Sequence, residues 1–121
     1  MNNNIKATNI ELTDAIRDYL TEKLQALDKY IDLKGTQVFI YTELEKTRPD
    51  QHNGDDLYRA EITVDNAGDI HYADTATHDL YAAIDLLQDE ITRKIRRSQN
   101  KKRDLFRRGM GKIKKLMRFG K

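Results

Sequence analysis

The sequence contains no cysteine. That excludes disulfide frameworks, thiolate metal sites and cysteine nucleophiles, and it leaves the compartment open, with the cytoplasm as the default. Proline occurs once, at Pro49. Apolar runs are short. Val38-Phe39-Ile40-Tyr41 is about the longest, far below the roughly 20 residues of a membrane span. The N-terminus, Met1-Asn2-Asn3-Asn4, has neither a basic start nor an apolar stretch, so no signal peptide is expected. Phosphate loops, dinucleotide turns and nucleophile elbows are absent as motifs. The histidines His52, His71 and His78 are not paired at metal-ligand spacing. Asp55-Asp56 and Asp89-Glu90 are neighbours in sequence and carry no acid–base signature. No catalytic residue, metal ligand or cofactor is assigned, and the chain reads as non-enzymatic.

What is present is charge. Hydrophobic residues make up 38% of the 121 and charged residues 35%. Mean hydropathy is −0.82. This is wetter than an average domain and allows one modest core, with some segment left outside it. The net charge of +2 hides a split. Residues 1–92 carry 8 Lys/Arg and 19 Asp/Glu, a balance of −11. Residues 93–121 carry 14 Lys/Arg against Asp104 alone, a balance of +13. A polycation on an acidic body points to a polyanionic partner, either nucleic acid or an anionic membrane surface.

The patterning predicts six elements. Asn4 to Thr8 reads as a short strand. Thr13 is a good N-cap for a helix over 14–31, whose stripe is Ile16, Leu20, Leu24, Leu27 and Ile31, with Gly35 as a stop beyond it. Thr36 to Leu44 alternates as a strand, with Val38, Ile40, Thr42 and Leu44 on one face. Residues 45–56, with Pro49 and Asn53-Gly54, form a loop. Leu57 to Asp65 and Ile70 to Thr75 are strands joined by a turn at Asn66-Ala67-Gly68-Asp69. Thr77 is placed to cap a last helix that starts near His78-Asp79, with the stripe Leu80, Ile84, Leu87, Ile91 and Ile95. That helix is expected to run to about Arg103 and to project beyond the sheet.

The order β-α-β-β-β-α, with one apolar stripe per helix, predicts an α+β fold with both helices on one face of a four-stranded sheet. The partner of the first strand is not specified. The α-β-β-β-α portion resembles the order of a double-stranded RNA-binding domain. Residues 1–103 are read as the folded domain and 104–121 as a basic amphipathic tail.

On a wheel centred on the last helix's stripe, Arg93 and Arg97 fall opposite the core. Lys94 and Lys101 lie on one flank, Arg96 and Arg103 on the other. This surface suits phosphates on several sides. A membrane-surface helix would keep a continuous apolar face, which this stretch does not. Lys23, beside the Leu20/Leu27 stripe, reads either as a snorkelling lysine or as a phosphate contact.

Two separated motifs carry a family resemblance. Leu12-Thr13-Asp14-Ala15-Ile16-Arg17-Asp18-Tyr19-Leu20, with Lys23-Leu24 and Leu27, resembles the first helix of the ribosome hibernation-promoting factor and ribosome-associated inhibitor family. Asp79-Leu80-Tyr81-Ala82-Ala83-Ile84-Asp85 resembles that family's second-helix signature, followed by an arginine-rich run at Thr92-Arg93-Lys94-Ile95-Arg96-Arg97. The resemblance covers roughly residues 5–102. It implies a protein that binds the small ribosomal subunit in the channel used by mRNA and the A- and P-site tRNAs, and that inhibits translation in starved or stationary cells. By position it implies rRNA contacts at Lys23, Arg93, Lys94, Arg97 and Lys101, with Arg17, Arg96 and Lys102 in addition. Glu90 stands where the family often has a cation, and Ala26 where it often has a basic residue late in the first helix. The long members' extra domain would not fit in the residues after Arg103, so the chain resembles the short form.

The implied partners are the small subunit's rRNA and, through the tail, ribosomal proteins. No membrane partner is expected, and off the ribosome the chain is expected to be a monomer. The alternative is a regulatory protein-interaction module, such as a transcription-factor modulator, which would not need so many cations at one end. In the tail, Leu105, Phe106, Met110, Ile113, Leu116 and Met117 approximate one helical face among Arg and Lys. Gly109 and Gly111 each cost about 1 kcal/mol in a helix, so this segment is expected to fray until it meets the ribosome.

Overall fold

Thr13 lies in extended backbone, and its hydroxyl accepts the Ile16 amide at 3.2 Å. This caps a helix at the position expected. The computed structural model describes the backbone of residues 2–47 and 57–119, and side chains as far as Gly111. The elements are β1 (Asn2–Thr8), α1 (Asp14–Gln25), β2 (Val38–Thr47), β3 (Leu57–Asn66), β4 (Asp69–Thr77) and α2 (Leu80–Phe119). The expected loop at Pro49 and Asn53-Gly54 lies outside the described residues.

The four strands form one sheet in the order β1-β2-β3-β4. β2, β3 and β4 are the antiparallel meander, and β1 pairs with β2 in parallel. Both helices cover the same face. The core includes Leu20 and Leu24 from α1, Leu27 from the turn that follows it, and Ile84, Leu87, Ile91 and Ile95 from α2. Beneath them lie Val38, Ile40, Leu44, Ala60, Ile62, Val64 and Ala73 from the strands. Each of the leucine, isoleucine and valine side chains contributes roughly 1.5–3 kcal/mol on burial.

Several boundaries differ from the sequence expectation. The first helix ends at Gln25, and Ala26–Lys29 tightens into a 3₁₀ turn, so the expected span to residue 31 is two segments. β2 and β4 are longer than the alternation indicated, because their ends are held by ladder partners: Lys46 and Thr47 face Tyr58 and Leu57, and Thr77 faces Tyr58. Thr77 therefore belongs to β4, and Asp79 caps α2 instead, its Oδ1 accepting the Tyr81 amide at 3.1 Å. Finally, α2 does not stop near Arg103. It is 40 residues long, about 60 Å, and continues through Gly109 and Gly111. Neither glycine has any atom within 4 Å of where a Cβ would stand. Their propensity cost is offset there by neighbouring Leu, Phe, Arg, Lys and Met, not by packing.

The β3–β4 connection is a two-residue turn with φ 53° at Ala67 and 92° at Gly68. Such a turn needs positive φ at both positions, which glycine takes without strain. Asp65 Oδ1 accepts the Gly68 amide at 2.8 Å. This turn marks the end of the sheet that α2 overruns.

Candidate nucleic-acid interface

The surface is built on α2. Its stripe packs Ile91 and Ile95 fully onto the sheet. With that side fixed, Arg93, Arg97 and Lys101 are carried to the exposed side. Thr75 donates its hydroxyl to the Ala83 carbonyl at 2.8 Å and pins the start of α2 to β4. α2 runs antiparallel to β4: Lys94 reaches Tyr72, and Lys102 reaches Asp69.

Each of the eight expected contacts has a definite place. Arg93, Arg96 and Arg97 line one shallow depression with Gln88, Asp89, Thr92 and Asn100. Arg93 pairs with Glu90 at 3.0 Å. Arg96 lies over the Tyr30 ring, 5.8 Å from its centre. The side chains of Arg97 and Lys101 have no ion-pair or hydrogen-bond partner among the described residues, and the same holds for the side chain of Arg17 on α1. Lys94 is turned to the edge strand, where its Nζ donates to the Tyr72 carbonyl at 2.6 Å. Lys102 is 2.5 Å from Asp69 Oδ2. That pair holds the Asp69 carboxyl below its usual range, the Lys102 hydrogen bond being the main cause.

Lys23 is not in the arginine cluster. Its Nζ is 3.3 Å from Asp85 Oδ1 on α2 and 5.5 Å from the centre of the Tyr19 ring. Tyr19 also donates its hydroxyl to Asp85, at 2.5 Å, and meets Tyr81 edge-on at 4.9 Å between ring centres. The Tyr19 hydrogen bond holds the Asp85 carboxyl low, and Asp85 in turn raises Lys23 and Tyr19. Because Tyr30 lies beside Arg96 and Gln99 while Tyr19 lies beside Tyr81, the chain from Tyr19 to Tyr30 runs alongside α2 in the same direction. Lys23 is thus level with Asp85, about two turns before Arg93, and Arg17 is further back still. The structure gathers the α2 arginines and leaves the α1 cations as a separate, earlier point on the same helical layer.

Sequence reasoning missed Tyr19 and Asp85 as a pair. The signal for it is local: Tyr19 and Lys23 are four apart and share a helix face, as do Tyr81 and Asp85. Their meeting across 66 residues is a property of the fold. Among the described residues no group of three His, Asp or Glu side chains is placed to hold a metal ion, and no helix is long and apolar enough to cross a membrane.

This arrangement can be compared with known proteins. The family model described as "Sigma 54 modulation protein / S30EA ribosomal protein" matches residues 3–103. The chain belongs to this family. Within it, the chain is 36% identical over 98 residues to the ribosome hibernation promoting factor of Escherichia coli K12, covering 81% of this chain and 93% of that one. The crystal structure of the Thermus thermophilus Protein Y N-terminal domain matches with a TM-score of 0.61 at 34% identity, over 80% of this chain and 98% of that one. A ribosomal subunit interface protein from Coxiella burnetii has a TM-score of 0.64 at 15% identity, over 83% and 99%. That last likeness is one of fold. The two helices over a four-stranded sheet are therefore the architecture of the Protein Y N-terminal domain and of that subunit interface protein, and the stretch matched by the family model ends where α2 begins to overrun the sheet.

Proposed function

We propose that this protein binds the small ribosomal subunit in the channel used by mRNA and by the A- and P-site tRNAs. Occupying that channel blocks initiation and holds ribosomes idle in starved or stationary cells. It acts by occupancy in the cytoplasm and not by catalysis. The observation that carries this reading is the exposed cationic side of α2, with Arg93 and Arg97 fixed opposite the buried Ile91 and Ile95 and Lys101 exposed on the flank beside them. A rigid helix with cations on its outer side suits rRNA phosphates, whose neutralisation releases counterions and drives binding. Lys23, held by Asp85 beside Tyr19, supplies a second phosphate contact about two turns earlier. Arg96 and Lys102 extend the surface on its flanks, Lys94 borders it at the β4 edge, and Arg17 lies at its far end.

Family membership supports the ribosome as the partner, and the charge split supports RNA as the contact. A transcription-factor modulator would have no use for 14 cations in the last 29 residues. The test is a sucrose gradient of lysate from growing and starved cells at low and high salt. The proposal expects the protein to travel with small subunits or whole ribosomes, more so after starvation, and to leave them at high salt. Migration at the top of the gradient in low salt under both conditions would refute it.

A further inference from the structure

Among the described residues, two exposed apolar patches stand out once the cations of α2 are set aside. The first is on the open face of the sheet, opposite the helices. The ladder places Phe39, Asp65 and Ile70 in one row across the strands and Tyr41, Thr63 and Tyr72 in the next. Phe39, Tyr41, Ile70 and Tyr72 are 40%, 51%, 63% and 44% exposed. The following row is Lys6, Glu43, Glu61 and Asp74, and after it come Glu45 and Arg59. The apolar rows are at the end of the sheet that holds the β3–β4 turn, and the more acidic row lies further in. The second patch is on α2, where Leu105, Phe106 and Met110 are 55%, 69% and 41% exposed.

The second patch is in phase with the core. About three turns separate Ile95 from Phe106, so Leu105 and Phe106 return to the side that Ile84, Leu87, Ile91 and Ile95 use to cover the sheet. Lys102, on that same side, reaches Asp69 at the sheet's end. Beyond it the helix continues for about 25 Å, with its apolar side turned toward the plane of a sheet that has stopped. An arm that only bound phosphates would gain nothing from an apolar stripe aimed there.

We propose that a second copy of this chain fills the place beneath the overhang. The two copies are related by a two-fold axis in the plane of the sheet, crossing the strands at the end that holds the β3–β4 turn. This operation turns the second sheet over, so each overhanging helix crosses the other copy's open face above β3 and β4. Both contacts form together, and the pairing closes on itself. The lengths agree: Ile70 to Ala76 spans about 20 Å of strand, and residues 105 to 118 span about 20 Å of helix. The order agrees as well. Leu105, Phe106 and Met110 enter first and meet the rows of Ile70 and Tyr72. The stretch 112–118, with Lys112, Lys114, Lys115 and Arg118 in its sequence, then crosses the row of Glu61 and Asp74. The open face sets Glu43, Glu45, Glu61, Asp65 and Asp74 against Lys6 and Arg59, so its charge opposes that of the helix. Arg93 and Arg97 lie on the side of α2 away from the contact. The pairing is independent of the function proposed above, and it departs from the monomer expected from sequence.

Sedimentation equilibrium of the full chain tests this. The mass is expected to climb with concentration toward twice 14.1 kDa at low salt, and to fall back toward 14.1 kDa as salt rises. Phe106→Asp on the helix and Ile70→Lys on the sheet should each leave a monomer under conditions where the parent is paired. Both positions are exposed, so their thermal midpoints should stay close to the parent's. Because the chain has no cysteine, Met110→Cys combined with Tyr72→Cys offers an independent check, and a short bismaleimide should link two copies. A parent that stays monomeric at every concentration overturns the proposal. So do variants that pair like the parent, or cysteines that link no copies. If Phe106→Asp instead weakens ribosome binding while the parent remains monomeric, the stripe belongs to the ribosome and not to a second copy.

Discussion

Tyr19 donates its hydroxyl to Asp85 at 2.5 Å, from the second turn of α1 to the second turn of α2. The same carboxylate lies 3.3 Å from the Lys23 ammonium. Asp85 is the last residue of the motif that begins at Asp79, and its role here is to join the two helices and to fix where a cation of α1 points. Asp85→Asn keeps the size and loses the charge. It should lower the melting temperature by about 2–5 °C and weaken ribosome binding less than loss of the α2 arginines does. A melting temperature unchanged from the parent's would show that the helices do not rely on this link.

The titration of the same groups sets a pH window. Asp85 and Asp69 are held below their usual value by hydrogen bonds from Tyr19 and Lys102 respectively. A depressed carboxylate stabilises the fold above its unfolded value, near 3.9, and that stability is lost as pH falls through the folded value. Lys23 and Tyr19 are raised, chiefly by Asp85. Their contribution is complete below about pH 10 and is lost as pH rises through the raised values. Thermal melts against pH should therefore show a plateau between about pH 5 and 9 with a fall on each side. Asp85→Asn should soften both limbs.

Glu90 accepts from Arg93 at 3.0 Å, and on the surface proposed above this pair occupies one of the cations assigned to phosphate. Glu90→Lys should tighten binding to ribosomes and steepen its salt dependence by about 1 to 2 log units per decade, from one added contact and one released. Equilibrium binding across a salt series reads this directly, and an unchanged slope would mean that the pair lies off the RNA.

Ile84 is 1% exposed, and its side chain lies in the core between α2 and the sheet. Ile84→Ala should cost about 2–5 kcal/mol, large against the total for a small domain. Denaturant unfolding measures it, and a loss under about 1 kcal/mol would contradict the packing.

Much of this fold was legible in the sequence because it rests on local pattern. The alternation of Ala60, Ile62 and Val64 and the stripe from Ile84 to Ile95 each report one buried face. Gly68 reports its turn. The pairing of β1 was not legible, since Ile5 and Ala7 fit beside any strand and the parallel ladder with β2 is made across a connection that includes α1. The cap of α2 was misread because Thr77 and Asp79 are both good caps, and the ladder claimed Thr77. For the candidate surface, spacing gave the exposed side of α2 but not the partners. That Lys94 would reach a carbonyl of the edge strand, and Lys102 an aspartate at the turn, depends on which strand lies under α2. The overrun to Phe119 was obscured by Gly109 and Gly111, whose cost is local while the helix-forming tendency of their neighbours is spread along the segment.

The most direct measurement is equilibrium binding to purified small subunits over a salt series, comparing the parent with Arg93→Gln/Arg97→Gln/Lys101→Gln. All three residues are exposed and none lies in the core, so the variant should melt with the parent. Its affinity should fall steeply at low salt, and the slope of log affinity against log salt should flatten by roughly 2 to 3. Equal affinity and equal slope for the two proteins would contradict the claim that the outer side of α2 is the ribosome-binding surface.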